Sequence, residues 1–375
     1  MRIERRSSTP RWLQVAVPVG SVAVAFVVSA VVLLATGHNP LHAYRRLFEA
    51  AFTDPGALSS TLTAATPLCF TGLAAAVAFR VGLFNIGAEG QLYMGAIAAA
   101  GVALALAGQG VVLQIGAMIV AGAVAGAAWA LIPGFLRAFA NTNEIITSLM
   151  LNYVAALFLN YLIFDTLSYW RDTSSPGAEQ FPQGKPLPDA ASWPTFGLGT
   201  SLVIPFGLLV AVVLACVISV LYGRTRFGFE AAVIGDSPRA ARYAGMRTRR
   251  NILLVMGLSG LLAGIGGASQ DGDFRHLLDP RGLAQPGYGY TGIVVAALGR
   301  YNPFAVVLVG VLIGGLQNAG FFLQGADFPT GLIGAMQGII LFCALGGELL
   351  IRYRLTVRRR SRTHVEGGAT PEAAA

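Results

Sequence analysis

A chain of 375 residues in which 55% are hydrophobic and 12% charged, with a mean hydropathy of +0.64, leaves no soluble-domain reading open. Its apolar residues run uninterrupted over stretches of about 17 to 25 residues, the length that crosses a bilayer. The formal net charge of +8 does not point to nucleic acid, because the cytoplasmic loops of membrane proteins collect Lys and Arg whatever their function.

Ten apolar segments follow one another along the chain. The first half holds Leu13 to Ala35, Ala57 to Phe79, Phe84 to Ala107, Val111 to Ile132 and Ile145 to Phe164. The second half holds Leu202 to Tyr222, Ile252 to Ser269, Tyr288 to Leu298, Pro303 to Leu323 and Gly331 to Ile351. The first segment follows Arg2, Arg5, Arg6 and Arg11 but is too long for a signal-peptide core and lacks a small-residue cleavage site, so it is expected to stay as an anchor. With the amino terminus in the cytoplasm, all of the 26 Lys and Arg fall on the cytoplasmic side except Arg45, Arg46, Arg171, Lys185, Arg275 and Arg281. That bias sets the orientation.

The expected fold is therefore an all-α polytopic membrane protein with about ten transmembrane helices in two inverted halves and both termini cytoplasmic. Residues 1–12 form a basic amino terminus and 13–351 the membrane domain. Within that domain, 165–201 is a Pro-rich extracytoplasmic loop and 223–250 a cytoplasmic one. Residues 352–375 form a basic tail that meets anionic lipid and is otherwise disordered. Cys69, Cys216 and Cys343 lie inside apolar segments without metal-ligand spacing and read as packing residues. The four histidines, His38, His42, His276 and His364, lie outside the segments, so a buried histidine metal site or proton relay has no candidate. Small-residue pairs, Gly122 with Gly126, Gly260 with Gly264 and Gly310 with Gly314, read as close helix packing.

Polar residues at membrane depth single out the third segment, where Asn85, Glu89 and Gln91 sit in LFNIGAEGQLYMGA among Gly82, Gly87 and Gly90. An acidic residue inside a spanning segment is costly enough to be a functional candidate, and the glycines weaken a continuous helix there. The eighth segment, Tyr288 to Leu298, follows Gln285-Pro286-Gly287 and is too short to cross alone. Interrupted segments at matching places in two halves mark a midplane path, which assigns Asn85, Glu89, Gln91, Tyr288 and Tyr290 to it or to its support. For Glu89 the alternative is buried hydrogen bonding that holds the bundle together, and for the tyrosines it is interfacial anchoring.

The stretch GFEAAVIGDSPRAARYAGM, Gly228 to Met246, lies between two long apolar runs and is flanked by arginines. It is expected to fold as a turn, a short helix and a turn framed by Gly228, Gly235 and Pro238, stopping at Gly245. A helix-breaking Ala240→Pro is expected to disable it.

Together with the Asn143 to Tyr153 run NEIITSLMLNY and GYGYTGIVVAALGRYNP from Gly287 to Pro303, these motifs resemble the nucleoside and simple-sugar permeases of bacterial ABC importers, a branch related to the ribose and branched-chain amino acid permeases. The resemblance runs from about Leu58 to Ile351. It implies a permease subunit of the bacterial plasma (inner) membrane that pairs with a second, similar permease, ABC ATPase subunits and an extracytoplasmic substrate-binding lipoprotein. It makes Gly228 to Met246 the segment that couples to the ATPase, with Gly228, Glu230, Asp236, Arg239, Ala240, Tyr243 and Gly245 as its residues. The FNIGAEGQ form leans toward nucleosides, with a simple sugar such as ribose as the alternative. The chain has no Gly-x-x-x-x-Gly-Lys-Ser/Thr run, and its single lysine, Lys185, falls in an outer loop, so ATP and Mg would be used by the partner and no cofactor bound here. Two other classes compete. One is an ion-coupled secondary carrier titrating Glu89, which lacks a basic or histidine partner nearby. The other is a membrane enzyme binding a divalent metal through Asp271, Asp273, His276 and Asp279.

Overall fold

A chain in lipid must satisfy its own backbone hydrogen bonds, and each of the ten apolar segments accordingly holds a helix. The computed structural model describes residues 2–5, 11–175, 177–178, 180–198, 202–324 and 331–356. The first half runs β1 (Arg2–Arg5), α1 (Arg11–Ala35), α2 (Pro40–Phe48) with a π-helical turn to Thr53, α3 (Ala57–Phe79), α4 (Ala88–Ala105), α5 (Val111–Ala140) and α6 (Glu144–Asn160), which ends in a π-helical turn to Asp165. The second runs β2 (Thr195–Leu198), β3 (Leu202–Pro205), α7 (Phe206–Arg224), α8 (Arg226–Asp236), α9 (Pro238–Tyr243), α10 (Thr248–Ser269) with a π-helical turn to Arg275, α11 (Pro280–Ala284), α12 (Tyr288–Leu298), α13 (Pro303–Leu323), α14 (Leu332–Arg352) and β4 (Tyr353–Thr356). Among the described residues seven helices are long and apolar enough to cross a membrane, namely α1, α3, α5, α6, α7, α10 and α13.

Burial sorts these helices into an axis and a rim. The most apolar window of α3 is 83% buried and that of α10 67%, whereas α1 reaches only 22% and α5 28%. Glycine sets how closely the axis packs. Gly122 and Gly126 of α5 face Gly260 and Gly264 of α10, and a Cβ on any of the four would overlap backbone of the facing helix. On the other side of the axis, Gly310 and Gly314 of α13 rest on Cys69 and Ala65 of α3.

The structure departs from the expected segments at three places. Phe84 to Ala107 is not one helix: residues 83–86 are irregular and α4 begins at Ala88. Leu202 to Tyr222 begins as strand β3, paired antiparallel with β2 so that Phe196 faces Ile204, and turns helical only at Phe206. The carboxy-terminal tail is not structureless from its start, because β4 pairs antiparallel with β1, Arg2 with Thr356 through Arg5 with Tyr353. That ribbon puts the start of the chain and the end of α14 on one face. The expected disorder of 357–375 lies outside the described residues.

The described part of the loop 165–201 is docked on the bundle. Trp170 Nε1 donates to Ile97 O at 2.9 Å, Leu187 N donates to His276 O at 2.8 Å, and Trp193, 3% exposed, donates its backbone N–H to Gly272 O at 2.9 Å. Two indoles thus cover the second half of α4 and the turn that follows α10.

Candidate functional site

The interruption before α4 is built by α6. Glu144, Ser148 and Asn152 recur at every fourth residue, so they share one face of an otherwise apolar helix, and all three are buried. Each meets the irregular stretch or the first turn of α4 that follows it. Phe84 N donates to Glu144 Oε1 at 3.4 Å, Ile86 N to Ser148 Oγ at 3.3 Å, and Gly90 N to Asn152 Oδ1 at 2.9 Å. Asn152 Nδ2 donates in return to Ile86 O at 2.9 Å. Backbone that leaves the helix at membrane depth is thereby partnered, which lipid itself could not do. Arg137 closes the ladder by pairing with Glu144 Oε2 at 3.3 Å.

Asn85 and Gln91 form a reciprocal amide pair across the start of α4. Asn85 Nδ2 donates to Gln91 Oε1 and Gln91 Nε2 donates to Asn85 Oδ1, both at 3.0 Å. Asn85 Nδ2 also reaches Ser259 Oγ on α10 at 2.9 Å, and the Ser259 hydroxyl donates to Ala74 O on α3 at 2.7 Å. Both amides are fully buried. They therefore stitch α3, α4 and α10 together.

The start of α12 meets the start of α4. Glu89, 2% exposed, accepts the Gly289 N–H on Oε2 and the Tyr93 hydroxyl on Oε1. Tyr288 is buried, and its carbonyl accepts the Thr71 hydroxyl of α3 at 2.9 Å. Tyr290 is different. It is 39% exposed, and its phenol oxygen accepts from Asn152 Nδ2 at 3.3 Å. The structure thus gathers all five candidates at one junction, with Tyr290 facing outward and Asn85, Glu89, Gln91 and Tyr288 behind it. Sequence reasoning missed Thr71, Glu144, Ser148, Asn152 and Ser259. The four-residue polar spacing in NEIITSLMLNY was the signal available for three of them.

The segment from Gly228 to Met246 folds as two helices rather than one. Thr225 caps α8, Ser237 caps α9, and Gly245, at φ +74, ends α9 as expected. Gly228 lies inside α8, where a Cβ would overlap the Tyr222 backbone. Gly235, also within α8, packs against Arg80 and Val81 at the end of α3. Glu230 accepts from Asn251 Nδ2 of α10 at 3.0 Å and pairs with Arg226 at 2.9 Å, and these partners hold its carboxyl below the ordinary range. Asp236, Arg239, Ala240 and Gly245 are exposed, and Tyr243 is 94% exposed. Between the two helices and α10 lies a groove of about 740 Å³ lined by Arg226, Phe229, Glu230, Arg247, Arg250 and Asn251.

The acids considered for a metal do not converge. Asp273 accepts the Gly207 N–H at 3.0 Å, Asp279 pairs with Arg275 at 3.1 Å, and among the described residues no group of three His, Cys, Asp or Glu is arranged to hold an ion.

Residues 57–345 match the family model described as branched-chain amino acid transport system / permease component. The glucose ABC transporter permease protein TsgB13 of Haloferax volcanii is 36% identical over 95% of this chain and 94% of its own length. The guanosine ABC transporter permease protein NupP of Bacillus subtilis is 33% identical over 80% of this chain and 84% of its own. The nucleoside ABC transporter permease protein NupB of Lactococcus lactis is 30% identical over 88% and 90%. A family model that spans the helical bundle, and relatives matched nearly end to end, make this chain a member of the branched-chain amino acid transport system / permease component family, a multi-pass ABC permease subunit of the plasma membrane.

Proposed function

We propose that this permease imports nucleosides along a path that passes Tyr290 at the junction of α4 and α12. One observation carries the reading: the outward-facing Tyr290 phenol, 39% exposed, sits where two short helices begin, held there by the buried Asn152 amide. An aromatic ring stacks on a flat base, and its phenol exchanges hydrogen bonds with hydroxyls. Glu89 and the Tyr288 carbonyl fix the start of α12 from which the ring projects, and Asn85 and Gln91 fix the start of α4. Relatives named for nucleosides and guanosine favour this solute class, and the relative named for glucose favours a simple sugar as the second reading. Uptake of labelled guanosine competed by excess glucose, and the reverse, separates the two.

In this reading α8 and α9 lie in the cytoplasm, where Glu230, Arg239, Ala240 and Tyr243 couple to a separate ABC ATPase that uses ATP and Mg. A second, homologous permease completes the path, and an extracytoplasmic lipoprotein delivers the solute and sets most of its specificity. Uptake that follows ATP and ignores the proton and sodium gradients supports this assignment. Uptake that follows a gradient with ATP absent restores the secondary carrier.

A further inference from the structure

The first N–H groups of α12 need partners from outside their own helix, and lipid provides none. Gly287, at the N-cap with φ 58, has no side chain to offer. The cap comes from across the junction, because Gly289 N–H donates to Glu89 Oε2. Glu89 itself sits in the first turn of α4, so one carboxylate lies at the N-termini of two short helices whose aligned backbone dipoles favour a negative group. Among the described residues no Lys, Arg or His pairs with it. The approach is so close that a Cβ on Gly289 would overlap the Glu89 backbone. Both oxygens are engaged by the protein and the side chain is 2% exposed, which leaves nothing for a solute to bind.

We propose that Glu89 is a positioning residue, a clamp that fixes the start of α12 on the start of α4 and so sets where Tyr290, the residue after its Gly289 partner, meets the solute. The inference rests on the path proposed above. What the clamp requires is an acceptor of the right reach. Gln keeps that acceptor and loses the charge, whereas Asp keeps the charge and falls a methylene short. Asp273 supplies an internal comparison, since it gives the same kind of cap to Gly207 at the start of α7, which has no side-chain cap of its own.

The test uses the full chain in lipid nanodiscs with two readouts. The first is hydrogen–deuterium exchange of the peptide that starts α12, which needs no solute. Glu89→Ala and Glu89→Asp should speed it by about tenfold or more, and Glu89→Gln should stay within about threefold of the parent. Asp273→Ala should speed exchange at the start of α7 and leave α12 unchanged. The second is guanosine uptake by the assembled transporter, in which Glu89→Asp lowers the maximal rate with KM unchanged and Glu89→Gln restores it. Unchanged exchange at α12 in both Glu89→Ala and Glu89→Asp overturns the clamp. So does the opposite ranking, with Asp active and Gln inactive, or a KM for guanosine raised about tenfold in Glu89→Gln, which would put the carboxylate on the solute. If the parent carries no guanosine, the nucleoside reading fails while exchange still decides the clamp. If Glu89→Ala does not accumulate, exchange in the Asp and Gln variants decides the clamp in its place.

Discussion

Asn152 joins three elements through one amide, accepting from Gly90 of α4, donating to the Ile86 carbonyl and donating to Tyr290 of α12. Asn152→Ala strands a buried backbone N–H and a half-buried carbonyl, the former worth about 1–3 kcal/mol when left unpaired. The thermal midpoint of the purified chain should fall by several degrees, and an unchanged midpoint would mean that water or a side-chain shift replaces the amide. At the other end of the molecule, Ala240 turns out to be a poor place for a helix breaker. It is the third residue of α9, where its N–H meets only the Ser237 hydroxyl at 3.3 Å, and proline is tolerated in a first helical turn. Ala240→Pro should therefore cost only about the 1 kcal/mol of a cap bond. The next residue is buried and donates to Ser237 O, so Ala241→Pro is the variant expected to abolish ATPase association in pull-downs with the protein still in the membrane. The Glu230 tie to Asn251 carries a pH sign. A carboxyl held below its ordinary value lends stability above that value and loses it as pH falls through the lowered one, so coupling should be flat between about pH 6 and 8.

At the scale of elements, the sequence revealed the interrupted pair and hid how it is held. Segment length and Gly287 were enough to mark α12 as a half-helix, and the glycines around Glu89 marked a weak point in segment three. Neither disclosed that helix resumes only at Ala88, because the irregular stretch is stabilised by α6, about 60 residues further on, and local propensity carries no trace of a partner so distant. The same holds for Leu202 to Tyr222, where an apolar β-branched run reads equally as strand or helix and pairing with β2 decides. The glycine pairs were legible as packing sites, but their facing partners were not. Gly264→Leu should drive α5 and α10 apart and prevent stable insertion, whereas the same change at Gly116, which has open space around it, should be silent; protease resistance of the membrane-inserted chains checks both. The contact of Gly235 with Arg80 and Val81 also gives α8 a short route to the stretch that precedes α4. If α8 and α9 couple to the ATPase as proposed, a push on them is delivered next to the junction.

For the whole molecule, arginine placement and the β1–β4 ribbon agree that both ends share a face, although one comes from loop charge and the other from backbone pairing. Lipid accounts for the exposed apolar residues of α5, such as Val112 and Val120, but not for the exposed phenol of Tyr290 at the depth where α4 and α12 begin. That polar spot is where the path is placed, and cysteine accessibility tests it most directly. In a chain with Cys69, Cys216 and Cys343 replaced, Tyr290→Cys should react with a charged, membrane-impermeant thiol reagent while the transporter cycles, and the reaction should block guanosine uptake. Val120→Cys on the lipid face should not react, and Tyr243→Cys should react from the cytoplasmic side of inverted vesicles. A Tyr290→Cys chain that stays unlabelled in every state while Tyr243→Cys reacts, or that is labelled with transport intact, would contradict a path along α12.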